Sequence, residues 1–158
     1  MGNREVLESA LANLPTDIQK KYVRGDSALY DHEVLRFLDR AGVEFAVSAD
    51  MTRPLRAEIQ KLPTGDWKPL RRPDGSPGEP GRRWAEVPFV PDDPRARKGE
   101  RPFRYLAIRL PPKPRQLELF EPPSATEEYV AVVTNPGAPG RRVDSLASGQ
   151  MWDGGARP

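Results

Sequence analysis

Proline sets the first limit on what this chain can become. Of its 19 prolines, all but two lie between Pro54 and Pro139. Each fixes φ and removes a backbone donor, so helix interiors and central strands are disfavoured wherever prolines crowd. Regular structure is therefore expected mainly near the N-terminus, and the chain reads as two parts. At 158 residues it has room for one domain, although 37% apolar and 30% charged residues is lean for a compact globule.

Residue types narrow the chemistry further. There is no cysteine and only one histidine, His32. Disulfides, thiolate metal sites and cysteine nucleophiles are thereby excluded, and histidine-based zinc sites and most histidine base schemes are out of reach. Any catalysis must run on carboxylates. No run approaches the roughly 20 apolar residues of a membrane span, and Met1 to Pro15 lacks the pattern of a signal peptide, so a cytoplasmic protein without a membrane partner is expected.

The net charge of +2 conceals three blocks of different sign. Residues 1–51 carry 6 Lys/Arg against 9 Asp/Glu, residues 52–115 carry 16 against 8, and residues 116–158 carry 3 against 6. Only the middle block has the electrostatic profile of a surface that meets phosphate.

Periodicity places the elements. Val6, Leu7, Ala10, Leu11 and Leu14 recur at helical spacing, with Asn3 as a candidate cap and Pro15 as a stop. Tyr22 and Val23 favour a short strand ending at Asp26, with Gly25 allowing a sharp turn. Ser27 or Asp31 can cap a helix carrying Val34, Leu35, Leu38 and Ala41 on one stripe and closed by Gly42. Val43 to Ala49 alternates as a strand, and Thr52 to Leu62 reads as a further helix with Pro54 in its first turn. Strands alternating with helices predict a parallel pair joined by a right-handed crossover. After a loop over residues 66–83, Trp84–Val90, Arg104–Leu110 and Tyr129–Thr134 predict a small antiparallel unit with long basic loops. His32 is expected to be an exposed first-turn residue.

Arg24-Gly25-Asp26-Ser27 is the sharpest local feature. A carboxylate at the C-terminal end of a strand, followed by a helix, sits where open α/β sheets place ligands. The plainer alternative is that Asp26 only turns the chain or caps the next helix. Asp50, just beyond the next strand, is a second carboxylate that could approach it.

The wider stretch Tyr22-Val23-Arg24-Gly25-Asp26-Ser27-Ala28-Leu29-Tyr30, with Glu33-Val34-Leu35 and Gly42-Val43-Glu44-Phe45-Ala46-Val47, resembles bacterial insertion-sequence transposases of the DDE type. The resemblance runs on more weakly through Trp67-Lys68-Pro69-Leu70, Phe103 to Leu110 and Tyr129 to Asn135, covering roughly residues 5–135. It implies an α/β fold: a partial ribonuclease-H-like catalytic core over residues 1–62, a β-rich, proline-rich basic insertion over 63–135 and a disordered tail over 136–158. It implies that Asp26 matches the second of three acidic ligands holding two Mg2+ (or Mn2+) ions, with DNA, the transposon ends, as partner and an oligomer in the intact family. Two metals can activate the attacking oxygen and neutralise the leaving oxygen of a phosphodiester, but a cage of carboxylates must hold them. The strand bearing the first ligand is missing before Asp26, and no Glu follows Glu128 to serve as the third. The expectation is a fragment inactive by itself, with poor solubility from exposed apolar helix faces.

By the same resemblance, Arg71, Arg72, Arg82, Arg83, Arg95, Arg97, Lys98 and Arg101 belong to an insertion that contacts DNA, neutralising phosphates without reading bases. Trp67, Trp84 and Phe89 lie near them in sequence. The alternative is a solvated basic loop with these aromatics in the core of the small sheet. Two other readings of the whole chain stay open: a small non-catalytic nucleic-acid-binding protein, and a decayed reading frame without function.

The tail carries its own expectation. Back-translating Gly149 to Arg157 and reading from the second base of each codon admits Lys-Cys-Gly-Thr-Val-Glu-His, which resembles the stretch around the family's missing Glu. A frameshift between Asn135 and Gly149 would account for this; the alternative is chance agreement in a degenerate code. Sequencing the coding DNA decides between them. The shifted frame should encode that Glu, and an early stop or another residue there removes the frameshift.

Overall fold

The computed structural model describes residues 2–72, 74–111 and 128–136. Helix α1 (Asn3–Ala12) leads to strand β1 (Tyr22–Gly25), a 3-10 turn at Ser27–Leu29, helix α2 (His32–Arg40), strand β2 (Glu44–Ala49), helix α3 (Arg53–Gln60) and a second 3-10 turn at Thr64–Asp66. Strands β3 (Lys68–Pro69), β4 (Arg83–Val87), β5 (Arg104–Arg109) and β6 (Tyr129–Thr134) follow. Of the tail expected over 136–158, residues 137–158 lie outside the described residues.

Among the described residues the architecture is mixed α/β: three helices and one six-stranded sheet in the order β1-β2-β6-β5-β4-β3. β1 and β2 pair in parallel, Val23 opposite Phe45 and Gly25 opposite Val47, and every other pair is antiparallel. The three antiparallel strands expected after the loop are present as β4, β5 and β6, and the two-residue strand β3 lies within the stretch 66–83 that was expected to be loop. Its last strand also pairs with β2, Val133 opposite Val47, so both parts of the chain share one sheet. Period-two alternation tells which face a side chain takes and leaves the partner strand unspecified.

Burial follows from that pairing. On one face Phe45, Val47, Tyr105, Ala107, Ala131 and Val133 form a core with Val34, Leu35 and Leu38 of α2 and Leu55 and Ile59 of α3. On the other face Ala46, Leu70, Trp84, Leu106, Ile108 and Val132 form a second cluster. β2 is thus buried on both sides, which explains why Ala46 and Ser48 stand where a half-exposed strand would carry charge. Each large side chain withdrawn from water here contributes about 1.5–3 kcal/mol.

The local signals for the helices are mostly the expected ones. Of the two candidate caps for α2, Asp31 is used, accepting from the backbone N–H groups of Glu33 and Val34. Gly42 follows the helix at φ +67°, a left-handed conformation that releases the chain into β2. Thr52 caps α3, with Pro54 in its first turn. α1 differs: Gly2 is the cap residue, its N–H donating to Glu5 Oε2 at 3.1 Å, while the Asn3 side chain donates to the Ala28 carbonyl at 2.7 Å. Asn3 therefore ties α1 to the turn after β1 instead of capping. α1 buries no residue fully; Leu7 and Leu11 lean on the core, and Val6 stays 51% exposed. Among the described residues no helix is long and apolar enough to cross a membrane.

A polar clip closes the sheet where α2 passes into β2. Asn135 Oδ1 accepts from Phe45 N–H at 2.8 Å, and its Nδ2 donates to Asp39 Oδ1 at 2.7 Å and to the Val43 carbonyl at 3.2 Å. Thr134, buried, donates its hydroxyl to the Phe45 carbonyl at 2.7 Å. Replacing Asn135→Ala strands a part-buried backbone donor and should cost about 2 kcal/mol. Urea denaturation reads this directly, and a loss below roughly 0.5 kcal/mol would show that water replaces the clip.

Candidate functional site

Asp26 follows the last residue of β1, where Gly25 lets the chain turn tightly: a Cβ at Gly25 would stand 2.4 Å from Leu29 Cδ1 and 3.1 Å from Leu29 Cβ. The Asp26 carboxylate is exposed, and its Oδ1 accepts from Ala28 N–H at 3.0 Å, capping the 3-10 turn. The capping alternative is thus realised, and one carboxylate oxygen takes no part in that bond. Asp50 follows the last residue of β2. Because β1 and β2 are parallel, both carboxylates leave the sheet at the same end. Among the described residues no three His, Cys, Asp or Glu side chains gather into a metal-holding group. Asp26 and Asp50 alone do not make a cage for two magnesium ions.

The basic residues fall into two groups on connections at opposite ends of β4. Arg71, Arg72, Arg82 and Arg83 lie before or at its start, and Arg95, Arg97, Lys98 and Arg101 lie in the connection from β4 to β5. In the first group Arg71 donates to the Gly75 carbonyl at 3.2 Å, and Arg71 to Pro77 forms an isolated bridge. Arg82 Nε lies 2.8 Å from Glu79 Oε2 without satisfying a hydrogen bond, so the N–H direction misses the oxygen and the pairing is one of charge. Arg72 and Arg83 are exposed. In the second group all four side chains are exposed.

The aromatics belong to the packing. Trp67 is buried and stacks on Tyr129 at 5.7 Å between ring centroids, Trp84 is buried beneath Lys68 Nζ, and Phe89 meets Tyr105 edge-on. Of the two placements open from sequence, these rings take the core, which withdraws Trp67 and Trp84 from base stacking.

The structure adds a polar network that the sequence did not disclose. His32, expected to be exposed, is only 22% exposed at its side chain and bonds Asp93 through Nδ1 at 2.9 Å. Asp93 also accepts from Arg36 and, through its other oxygen, from the Arg95 backbone N–H at 2.9 Å. Burial by itself would push the Asp93 carboxyl up, but the Arg95, His32 and Arg36 donors together hold it down at about 2. An ionised Asp93 can only accept, so Nδ1 of His32 carries the proton. Glu100 joins the network, receiving Arg40 Nη2 at 2.6 Å and lying 3.2 Å from Arg36 Nε. The β4–β5 connection is thus fastened along α2 by partners 57 to 64 residues apart. Only the Asp93 turn, with its Pro94 and its bond two residues on, has a local signal. Inward from His32, Tyr30 Oη and Tyr105 Oη lie 3.0 Å apart, and burial is the main cause raising both phenols.

No family model matches the sequence, and no curated protein matches it.

Asp93→Ala should release the connection at a cost on the order of 2 to 3 kcal/mol. The pH dependence follows from the depressed carboxyl. Its contribution is complete above the ordinary value of 3.8 and fades as pH falls toward about 2. The stability difference between wild type and variant should therefore be full at pH 6 and shrink through that acid window; a constant difference would show that the charge is immaterial.

Proposed function

We propose that this chain is a piece of a DDE transposase in which Asp26 is one carboxylate of a Mg2+ (or Mn2+) site, and that it is inactive in transposition by itself. The observation that carries the reading is the placement of Asp26. It is an exposed carboxylate directly after the first of two adjacent parallel strands, before a helix, with Asp50 leaving the same end of the next strand. That rim is where an α/β sheet presents ligands. The ribonuclease-H-like identity of the core belongs to this proposal, as do DNA as partner and a cytoplasmic setting. The exposed Arg72, Arg83, Arg95, Arg97, Lys98 and Arg101 would meet DNA through its phosphates. No catalytic step is assigned to this chain, since its described carboxylates do not enclose two metals.

A second reading, a non-catalytic nucleic-acid-binding module, is favoured by the same exposed cations without any role for Asp26. Metal titration separates the two. Under the transposase reading Mn2+ binds weakly, at roughly millimolar level, and Asp26→Asn abolishes it without changing the fold; no DNA cleavage accompanies it. Mn2+ binding indifferent to that substitution removes the assignment. Under the module reading duplex binding falls steeply with salt, Arg82→Ala with Arg83→Ala weakens it for every sequence alike, and Asp26→Asn leaves it unchanged.

A further inference from the structure

Outside the carboxylate rim, the outer side of α2 borders a cavity of about 300 Å³ that gathers arginines from three separate elements. Arg4 comes from α1, Arg36 and Arg40 from α2, and Arg95 and Arg97 from the β4–β5 connection. Among the described residues Glu33 is the one carboxylate lining it.

The donors differ in how far they are already committed. Arg36 and Arg40 are held by Asp93 and Glu100, as the floor of the network. Arg4 gives Nε to Glu8 and one terminal nitrogen to Glu33, at 2.9 and 2.7 Å. Arg95 is 74% exposed and reaches Glu33 only at 3.8 Å. Arg97 is fixed at its backbone, which donates to Glu100 at 3.1 Å, while its guanidinium has no partner among the described residues. Two planar forks, on a backbone pinned by Asp93 and Glu100, therefore face the cavity with their donors largely unspent. Guanidinium forks match the oxygens of carboxylate and phosphate groups, and a cavity of this size admits a phosphoryl group with room for its ester. Arg36 and Arg40 are balanced by Asp93 and Glu100 and Arg4 by Glu8, so Arg95 and Arg97 against Glu33 leave the cavity net positive, and once Glu33 moves aside two guanidinium forks can meet a doubly charged anion.

We infer that this cavity is a binding site for a phosphoryl anion, with Arg95 and Arg97 as its primary donors, Arg4 as a third and Glu33 as the internal carboxylate that the anion displaces. The site does not depend on a metal at Asp26. Displacement of Glu33 costs little, because it is 54% exposed and turns to water.

The test is calorimetric titration of the full chain with inorganic phosphate at fixed ionic strength. Wild type should bind one phosphate, and Arg97→Ala with Arg95→Ala should weaken it by about tenfold or more. Glu33→Gln should tighten it severalfold, a gain that a merely structural ion pair would not give. Arg56→Ala, on α3 and outside the cavity lining, should leave it unchanged. The substituted arginines are exposed, so folding is retained, and circular dichroism confirms this for each variant. Displacement of bound phosphate by duplex DNA identifies a nucleic-acid backbone as the source of the group, and displacement by adenosine monophosphate alone identifies a terminal phosphoryl. Phosphate binding that survives loss of both arginines, or that is absent from both wild type and Glu33→Gln, overturns the site.

Discussion

The pairing of β6 with β2 holds the rest of the molecule together. Without it, residues 3–60 would be a two-stranded parallel ribbon with three helices, too small to bury its own faces. With it, Val47 meets Val133 and then Tyr105 across three strands, and the helices gain a sheet wide enough to cover. The antiparallel register also brings Thr134 and Asn135 against Phe45 and Val43, so the polar groups at the entry to β2 are met from the far end of the chain. Fold and long-range contact are one fact here: the N-terminal part is completed by a strand some 80 residues later.

The same economy governs the basic connection between β4 and β5. A loop rich in arginine and proline has little apolar area to bury, and charge fastens it instead. Asp93 engages Arg36 and His32, Glu100 engages Arg36 and Arg40, the two arginines anchor the loop to α2, and His32 closes the inner end. Such pairs are costly to desolvate and are tolerated where several hydrogen bonds converge on one carboxylate. Arg36 and Arg40 are thereby consumed as structure, while Arg95 and Arg97, two and four residues after Asp93, are left projecting outward. Position relative to the anchoring carboxylates, more than composition, separates the arginines that hold the loop from those free to meet a ligand.

That distinction marks what could be read from the sequence. Elements with local signatures were legible. The 3.6-residue stripe of Val34, Leu35 and Leu38, closed by Gly42, gave α2, and the hydrophobic runs gave β2, β4, β5 and β6 to within a few residues. Proline shortens one expected strand: the run Trp84–Val90 predicts a strand through Pro88, whereas β4 ends at Val87 just before it, while Pro54 enters α3 at its first turn as expected. Pairings between distant segments were illegible, because alternation specifies a face and not a neighbour. So the junction of β6 with β2 was missed, and with it the continuity of the sheet across residue 62. His32 was misjudged for the same reason: its partner lies 61 residues away in a loop with no periodicity. Asp26 was found from its local turn, and its capping bond to Ala28 shows that a local motif fixes a position before it fixes a role.

What Asp26 can do is bounded by the strand that carries it. β1 is at the edge of the sheet and has one strand neighbour, β2, so carboxylates from the described sheet can approach Asp26 from one side only, and there Asp50 is the acidic residue that follows the strand. Among the described residues, β1 also carries an exposed ring, Tyr22, at 41%. Multi-carboxylate metal sites take their ligands from several elements, because like charges must be held together against their repulsion by a surrounding scaffold. An edge strand with one neighbour supplies half of such a scaffold. Asp26 thus stands exposed beside one acidic neighbour from the described sheet, and under the proposal made above that arrangement predicts weak metal binding, because two carboxylates arriving from one side leave most of a divalent cation's coordination to water.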